Sequence, residues 1–112
     1  MNLAVGIEET QNHYTVKVSG EIDVYTAPEL KDKLLPLTEV HGNDIQVDLK
    51  DITYMDSTGL GVFISAYKSA KEPESSMELI HAKDRVSRLF KVTGLDEIMN
   101  VRFDDDNNKE GQ

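Results

Sequence analysis

The residue types that could do chemistry gather in one short stretch, Asp56-Ser57-Thr58-Gly59-Leu60-Gly61. Two adjacent hydroxyls follow a carboxylate and precede two glycines. Upstream, Ile45, Val47 and Leu49 alternate with Asp44, Gln46 and Asp48, the period of a half-buried strand. Downstream, Leu60, Phe63, Ala66, Tyr67 and Ala70 recur at helical spacing, which predicts a helix that stops before Pro73. Asp, Ser and Thr start helices because their side-chain oxygens accept from the free N–H groups of the first turn. Ser57 therefore belongs at or beside a helix N-terminus, at the rim of a sheet. Such a terminus welcomes an anion. From these residues alone two roles stay open: a plain helix cap, or a hydroxyl that can carry a phosphate.

Catalysis by this stretch is disfavoured. A serine nucleophile elbow needs Gly two residues before the Ser, and Met55 stands there. No His is placed by the sequence as a general base. Gly59-Leu60-Gly61 lacks the third glycine of a dinucleotide loop, because Ile64 occupies its place, and lacks the Lys of a P-loop. His13, His41 and His81 share no ligand spacing, so no metal site and no cofactor are expected. By these motifs the chain is not expected to be an enzyme.

The surrounding elements follow from patterning. Leu3, Val5 and Ile7 form a short strand. Gln11-Asn12-His13 turns into a second strand through Tyr14, Val16 and Val18, closed by Gly20-Glu21-Ile22-Asp23. Val24-Tyr25 connects. Thr26-Ala27-Pro28-Glu29 reads as a capping box for a helix with Leu30, Leu34 and Leu37 on its stripe, ended or kinked by Pro36. Met77 and Leu79 mark another strand. A helix from about Asp84 to Thr93 stops at Gly94, then a last helical turn and an extended piece at Val101-Arg102-Phe103 complete the domain. The strands alternate rather than run continuously apolar, so helices should cover one face of the sheet only.

On an ideal helix Ser57, Gly61, Ile64, Ser65 and Lys68 fall opposite the apolar stripe. Glycine there costs about 1 kcal/mol against Ala. That cost points to close approach by a partner. Composition bounds the rest. With 112 residues the chain makes one domain. The net charge of −9 argues against nucleic acid and anionic membranes. Cysteine is absent, which excludes disulfides and thiol chemistry. Neither a signal segment nor a long apolar run is seen, so a cytoplasmic protein is expected. Residues 104–112 are acidic and amide-rich and are expected to form a disordered tail.

Three blocks together carry a resemblance. Asp56-Ser57-Thr58-Gly59-Leu60-Gly61 resembles the signature of the bacterial anti-sigma factor antagonists of the STAS-domain family. Gly20-Glu21-Ile22-Asp23 with Thr26-Ala27-Pro28 resembles the family's second signature. Arg85-Val86, Leu89-Phe90 and Thr93-Gly94-Leu95 resemble its third helix and exit. The match covers residues 1 to about 103 and is nearest to the general-stress (RsbV-type) branch. It implies a STAS fold of the α/β class, α+β-like, with a small mixed sheet of four to five strands and helices mainly on one face. It implies Ser57 as phosphoacceptor, with Asp23 near it in the partner-binding region; Asp56, Thr58, Gly59, Gly61 and Ile64, in or beside the same stretch, are expected to share that region. The implied partners are an anti-sigma factor with serine kinase activity and a PP2C-type serine phosphatase. A STAS-type scaffold or sensory module in a larger complex is the alternative. Lys71-Glu72-Pro73-Glu74-Ser75-Ser76 departs from the glycine turn common in relatives.

Overall fold

The computed structural model describes residues 2–104. Its elements in chain order are β1 (Leu3–Thr10), β2 (His13–Ile22), α1 (Ala27–Thr38), β3 (Asp44–Met55), α2 (Ser57–Lys71), β4 (Ser76–Ala82), α3 (Asp84–Thr93), a 3-10 turn at Leu95–Glu97, and β5 (Asn100–Phe103). The five strands lie in sequence order, β1-β2-β3-β4-β5. β1 pairs antiparallel to β2 and every later pair is parallel. Each parallel step needs a crossover, and crossovers share one hand. Strands added in one direction with one hand place all three helices on the same face.

Burial agrees with this one-sided sheet. Val16, Val18, Ile45, Val47, Leu49, Met77 and Leu79 are buried, while Lys17, Gln46, Asp48, Glu78 and Ile80 between them are exposed or half-buried. Phe63 of α2 and Phe90 of α3 are fully buried, with ring centroids 6.2 Å apart. α3 takes the limits read from its pattern, and Gly94 ends it with φ of 76°, a conformation that glycine adopts without a Cβ clash.

Four details differ from expectation. β3 does not stop near Leu49 but runs to Met55, twelve residues in all. Beyond Asp48 it leaves β4 and pairs only with β2. Pro36 does not end α1, which continues to Thr38; the Glu39 amide then donates to the Pro36 carbonyl. The last helical turn is a 3-10 turn. The capping box at Thr26 is absent, as described below. Asp104, read as the start of the tail, is instead placed against the sheet, its carboxylate 3.0 Å from His81 Nδ1; the expectation for residues 105–112 lies outside the described residues.

Two carboxylates stitch the open face. Ser76 Oγ donates to Asp44 Oδ1 at 2.9 Å, and Arg102 donates to Glu78 through Nε at 2.7 Å and Nη2 at 3.0 Å. The Ser76 hydroxyl, then His13, hold the Asp44 carboxyl below the usual carboxylate range. Arg102 does the same for Glu78. A carboxylate with a lowered folded pKa adds stability above its unfolded pKa and loses it as pH falls through the folded value. The urea midpoint is therefore expected to fall between about pH 6 and pH 3, and Glu78→Gln is expected to flatten that fall. An equal acid slope in Glu78→Gln would contradict the assignment.

Candidate functional site

Register brings the two signature segments together. Ile22 and Met55 are partners at the ends of β2 and β3, and the Asp56 amide donates to the Ile22 carbonyl at 3.4 Å. Asp23 and Asp56 thus leave the sheet side by side, at the carboxyl ends of parallel strands. α1 and α2 start there. In open parallel sheets this edge is where ligands and partners are met.

The helix cap is Asp56. It has extended backbone (φ −115°, ψ −168°) and its Oδ1 accepts from the Thr58 amide at 2.9 Å. Its carbonyl accepts from the Gly59 amide at 3.0 Å. Ser57 is the first helical residue, and it is exposed. Among the described residues no side chain or carbonyl binds its hydroxyl. The cap reading of Ser57 is therefore replaced: the neighbouring carboxylate does that work and leaves the hydroxyl free. Ser57→Ala is expected to change stability by less than about 0.5 kcal/mol, and Asp56→Ala to cost about 1 kcal/mol. Denaturant curves of the two variants check the ranking.

Asp23 shapes the adjoining loop. Its Oδ1 accepts from the Tyr25 amide at 2.9 Å, the Thr26 amide at 3.1 Å and the Thr26 hydroxyl at 3.3 Å. Thr26 Oγ1 donates to the Glu21 carbonyl at 2.8 Å and accepts from the Asp23 amide at 2.9 Å. That hydroxyl is consumed by the strand end, so it caps nothing in α1. The loop so fixed holds Val24 and Tyr25 in solvent, 61% and 79% exposed. Sequence reasoning treated this dipeptide as a connection. Its only signal was two large apolar residues in a segment with no period.

The two glycines of the signature differ. Gly59 is buried, and a Cβ on it would stand 2.5 Å from Met55 Cγ, 2.9 Å from Met55 Sδ and 3.0 Å from Ile22 Cγ2. It lets α2 sit down on the ends of β2 and β3, and direct partner contact at Gly59 does not fit this position. Gly61 is exposed, and a Cβ there meets nothing within 4 Å. No packing among the described residues requires it. Thr58 and Ile64 are half-buried.

Between α1 and α2 lies an open groove of about 680 Å³. Val24, Ala27 and Pro28 form one wall, and Thr58, Gly61 and Val62 the other. Ser65 lines it one turn beyond Gly61, with Lys31 and Asp32 on the α1 side. Gly61 is the low point of the α2 wall, and Ser57 stands one turn before it. Val62 is buried along this groove. No group of three or more His, Cys, Asp or Glu able to hold a metal occurs among the described residues. No described helix is long and apolar enough to cross a membrane.

A mixed sheet covered on one face, with an exposed serine hydroxyl at the start of its central helix, defines a class. Residues 5–101 match the family model described as Mlab, STAS domain. The chain belongs to the STAS-domain family. Within it, the chain is 46% identical over 101 residues to the anti-sigma-B factor antagonist of Bacillus subtilis, covering 90% of this chain and 92% of that protein. Among solved structures, an anti-sigma factor antagonist from Mycobacterium paratuberculosis matches with a TM-score of 0.80 at 24% identity, over 90% of this chain and 86% of that one. The Bacillus cell fate determinant SpoIIAA matches with a TM-score of 0.68 both unphosphorylated and phosphorylated. Identities there are 15% and 16%, over 90% and 97% of this chain and 88% and 100% of those.

Proposed function

We propose that this protein is an anti-sigma factor antagonist whose unmodified form binds an anti-sigma factor across the rim of Asp23, Asp56 and Ser57 and the α1–α2 groove. Binding withdraws the anti-sigma factor from its sigma factor. The partner is also a serine kinase: it brings ATP and metal, transfers the terminal phosphoryl group to Ser57 Oγ, and so ends its own capture. A PP2C-type phosphatase restores the hydroxyl. The observation that carries this reading is the free, exposed hydroxyl of Ser57 beside a helix start already capped by another residue. Its similarity to a curated anti-sigma-B factor antagonist supports the choice of partner.

The switch works by blocking an interface. A phosphate adds about −1.5 to −2 charges. Inside the chain it is tolerated, because it stands at the positive end of the α2 dipole and in solvent. Against a packed partner it is not, with Asp23 and Asp56 beside it. That this fold matches both forms of SpoIIAA equally well supports a switch that leaves the fold in place.

The test is reconstitution on a sizing column with the anti-sigma factor and sigma factor. The unmodified chain is expected to displace sigma, ATP to reverse the displacement, and the Ser57→Ala chain to resist reversal. Sigma held equally with and without the chain would overturn the function. Reversal by ATP in Ser57→Ala would move the acceptor elsewhere.

A further inference from the structure

β1 is one outer edge of the sheet. Proteins guard such edges with Lys, Pro, bulges or short strands, because an open row of N–H and C=O groups pairs with other chains. The opposite edge, β5, is guarded by being four residues long. β1 is eight residues long, reads Leu-Ala-Val-Gly-Ile-Glu-Glu-Thr, and pairs with β2 without a register break. Its odd residues stand on the helix-covered side with Val16 and Val18, yet Ile7 is 41% exposed and Leu3 and Val5 are only half-buried.

Which groups point outward follows from the turn. Thr10 and His13 flank a two-residue turn, in which Gln11 has φ of 56°. The flanking pair exchanges hydrogen bonds and the pattern alternates from there. Thr10, Glu8, Gly6 and Ala4 therefore bond to β2. Leu3, Val5, Ile7 and Glu9 aim their backbone groups away from the sheet.

We propose that β1 pairs with β1 of a second copy, antiparallel and two-fold about Val5, joining two sheets into one. The segment Leu3-Ala4-Val5-Gly6-Ile7 is a palindrome by size: large, small, large, small, large. Centred on Val5, it sets Leu3 opposite Ile7 of the second copy, Val5 opposite Val5, and Ala4 opposite Gly6. Every outward-bonding apolar residue then meets an apolar one. Glu8 and Glu9 lie past the ladder, so no carboxylate faces another. The partner is a second copy because this strand is its own complement in both apolar order and charge placement. A five-residue ladder is small beside the roughly 1,000 Å² of a stable interface, so the dimer is weak and forms at high concentration. Each copy carries −9, so salt strengthens pairing by screening the repulsion.

Sedimentation equilibrium of the full chain tests this, from about 10 µM to about 1 mM, the range in which a weak complex populates. The weight-average mass is expected to rise from 12.6 kDa toward twice that value. Added salt increases the rise, and Ile7→Lys abolishes it without unfolding the chain. The register has its own readout, since the chain has no cysteine. Hydrogen-bonded partners lie about 5.5 Å apart at Cα, within disulfide reach. Val5→Cys should give an oxidised dimer at high concentration, and Ala4→Cys and Val40→Cys should not. A chain that stays at 12.6 kDa throughout overturns the proposal. So does a dimer that survives Ile7→Lys, or one that Val5→Cys does not trap. The result is independent of the function proposed above.

Discussion

Phosphorylation of Ser57 is expected to weaken binding to the anti-sigma factor by about 100-fold or more, close to 3 kcal/mol, which is what like charge costs at a packed interface. The melting temperature should move by no more than about 2 °C, because a change of a few tenths of a kcal/mol shifts a domain of this size that little. The two numbers belong together. The Ser57 hydroxyl is exposed and has no hydrogen bond among the described residues, so its replacement disturbs no contact there. Asp56 keeps the Thr58 amide, so the helix start survives. Ser57→Asp should weaken binding by about tenfold, since it brings one charge where phosphate brings nearly two. Titration calorimetry of the phosphorylated, Asp and Ala forms against the partner reads the series, with thermal unfolding alongside. Unchanged affinity after phosphorylation would refute the switch. A large loss of melting temperature would replace interface blockage by a change of fold.

The second large effect separates two glycines of one signature. Gly59→Ala drives a methyl into Met55 and Ile22 and is expected to cost about 1–3 kcal/mol. Gly61→Ala meets nothing within 4 Å and removes the backbone freedom that glycine loses in a helix, so it should stabilise by up to about 1 kcal/mol. Yet Gly61→Ala should weaken partner binding by roughly tenfold, and Gly61→Leu more, because the added side chain stands in the groove a partner fills. A protein that gains stability and loses its partner shows that the glycine is kept for the interface. Gly61→Leu with unchanged affinity would take the groove out of the binding surface.

Much of this was legible in the chain, for identifiable reasons. The alternation of Ile45, Val47 and Leu49 is a true period of two, and it signalled a sheet with one covered face. α3 has an apolar face, an acidic start at Asp84 and a glycine stop, and its limits came out as read. Ser57 was placed beside a helix start, where it stands. The second half of β3 was hidden because its buried residues are Leu49, Ile52 and Met55, a spacing of three. Two register shifts against β2, between Lys17 and Ser19 and between Gly20 and Glu21, each put an extra residue into β3, and these bulges break its period of two. The capping box failed through competition. Thr26 has the right type and spacing, but Asp23 and the Glu21 carbonyl hold its hydroxyl. The groove escaped notice because it needs two helices at once: Ala27 and Pro28 belong to one, Gly61 and Val62 to the other.

The most direct measurement is the intact mass of the protein taken from its own cells in two fractions, free and bound to the anti-sigma factor. One phosphate is predicted in the free fraction, mapped to Ser57, absent from the bound fraction and absent throughout from a Ser57→Ala strain. Phosphate on Ser57 in the bound fraction, or none in either fraction under any growth condition, would contradict the account.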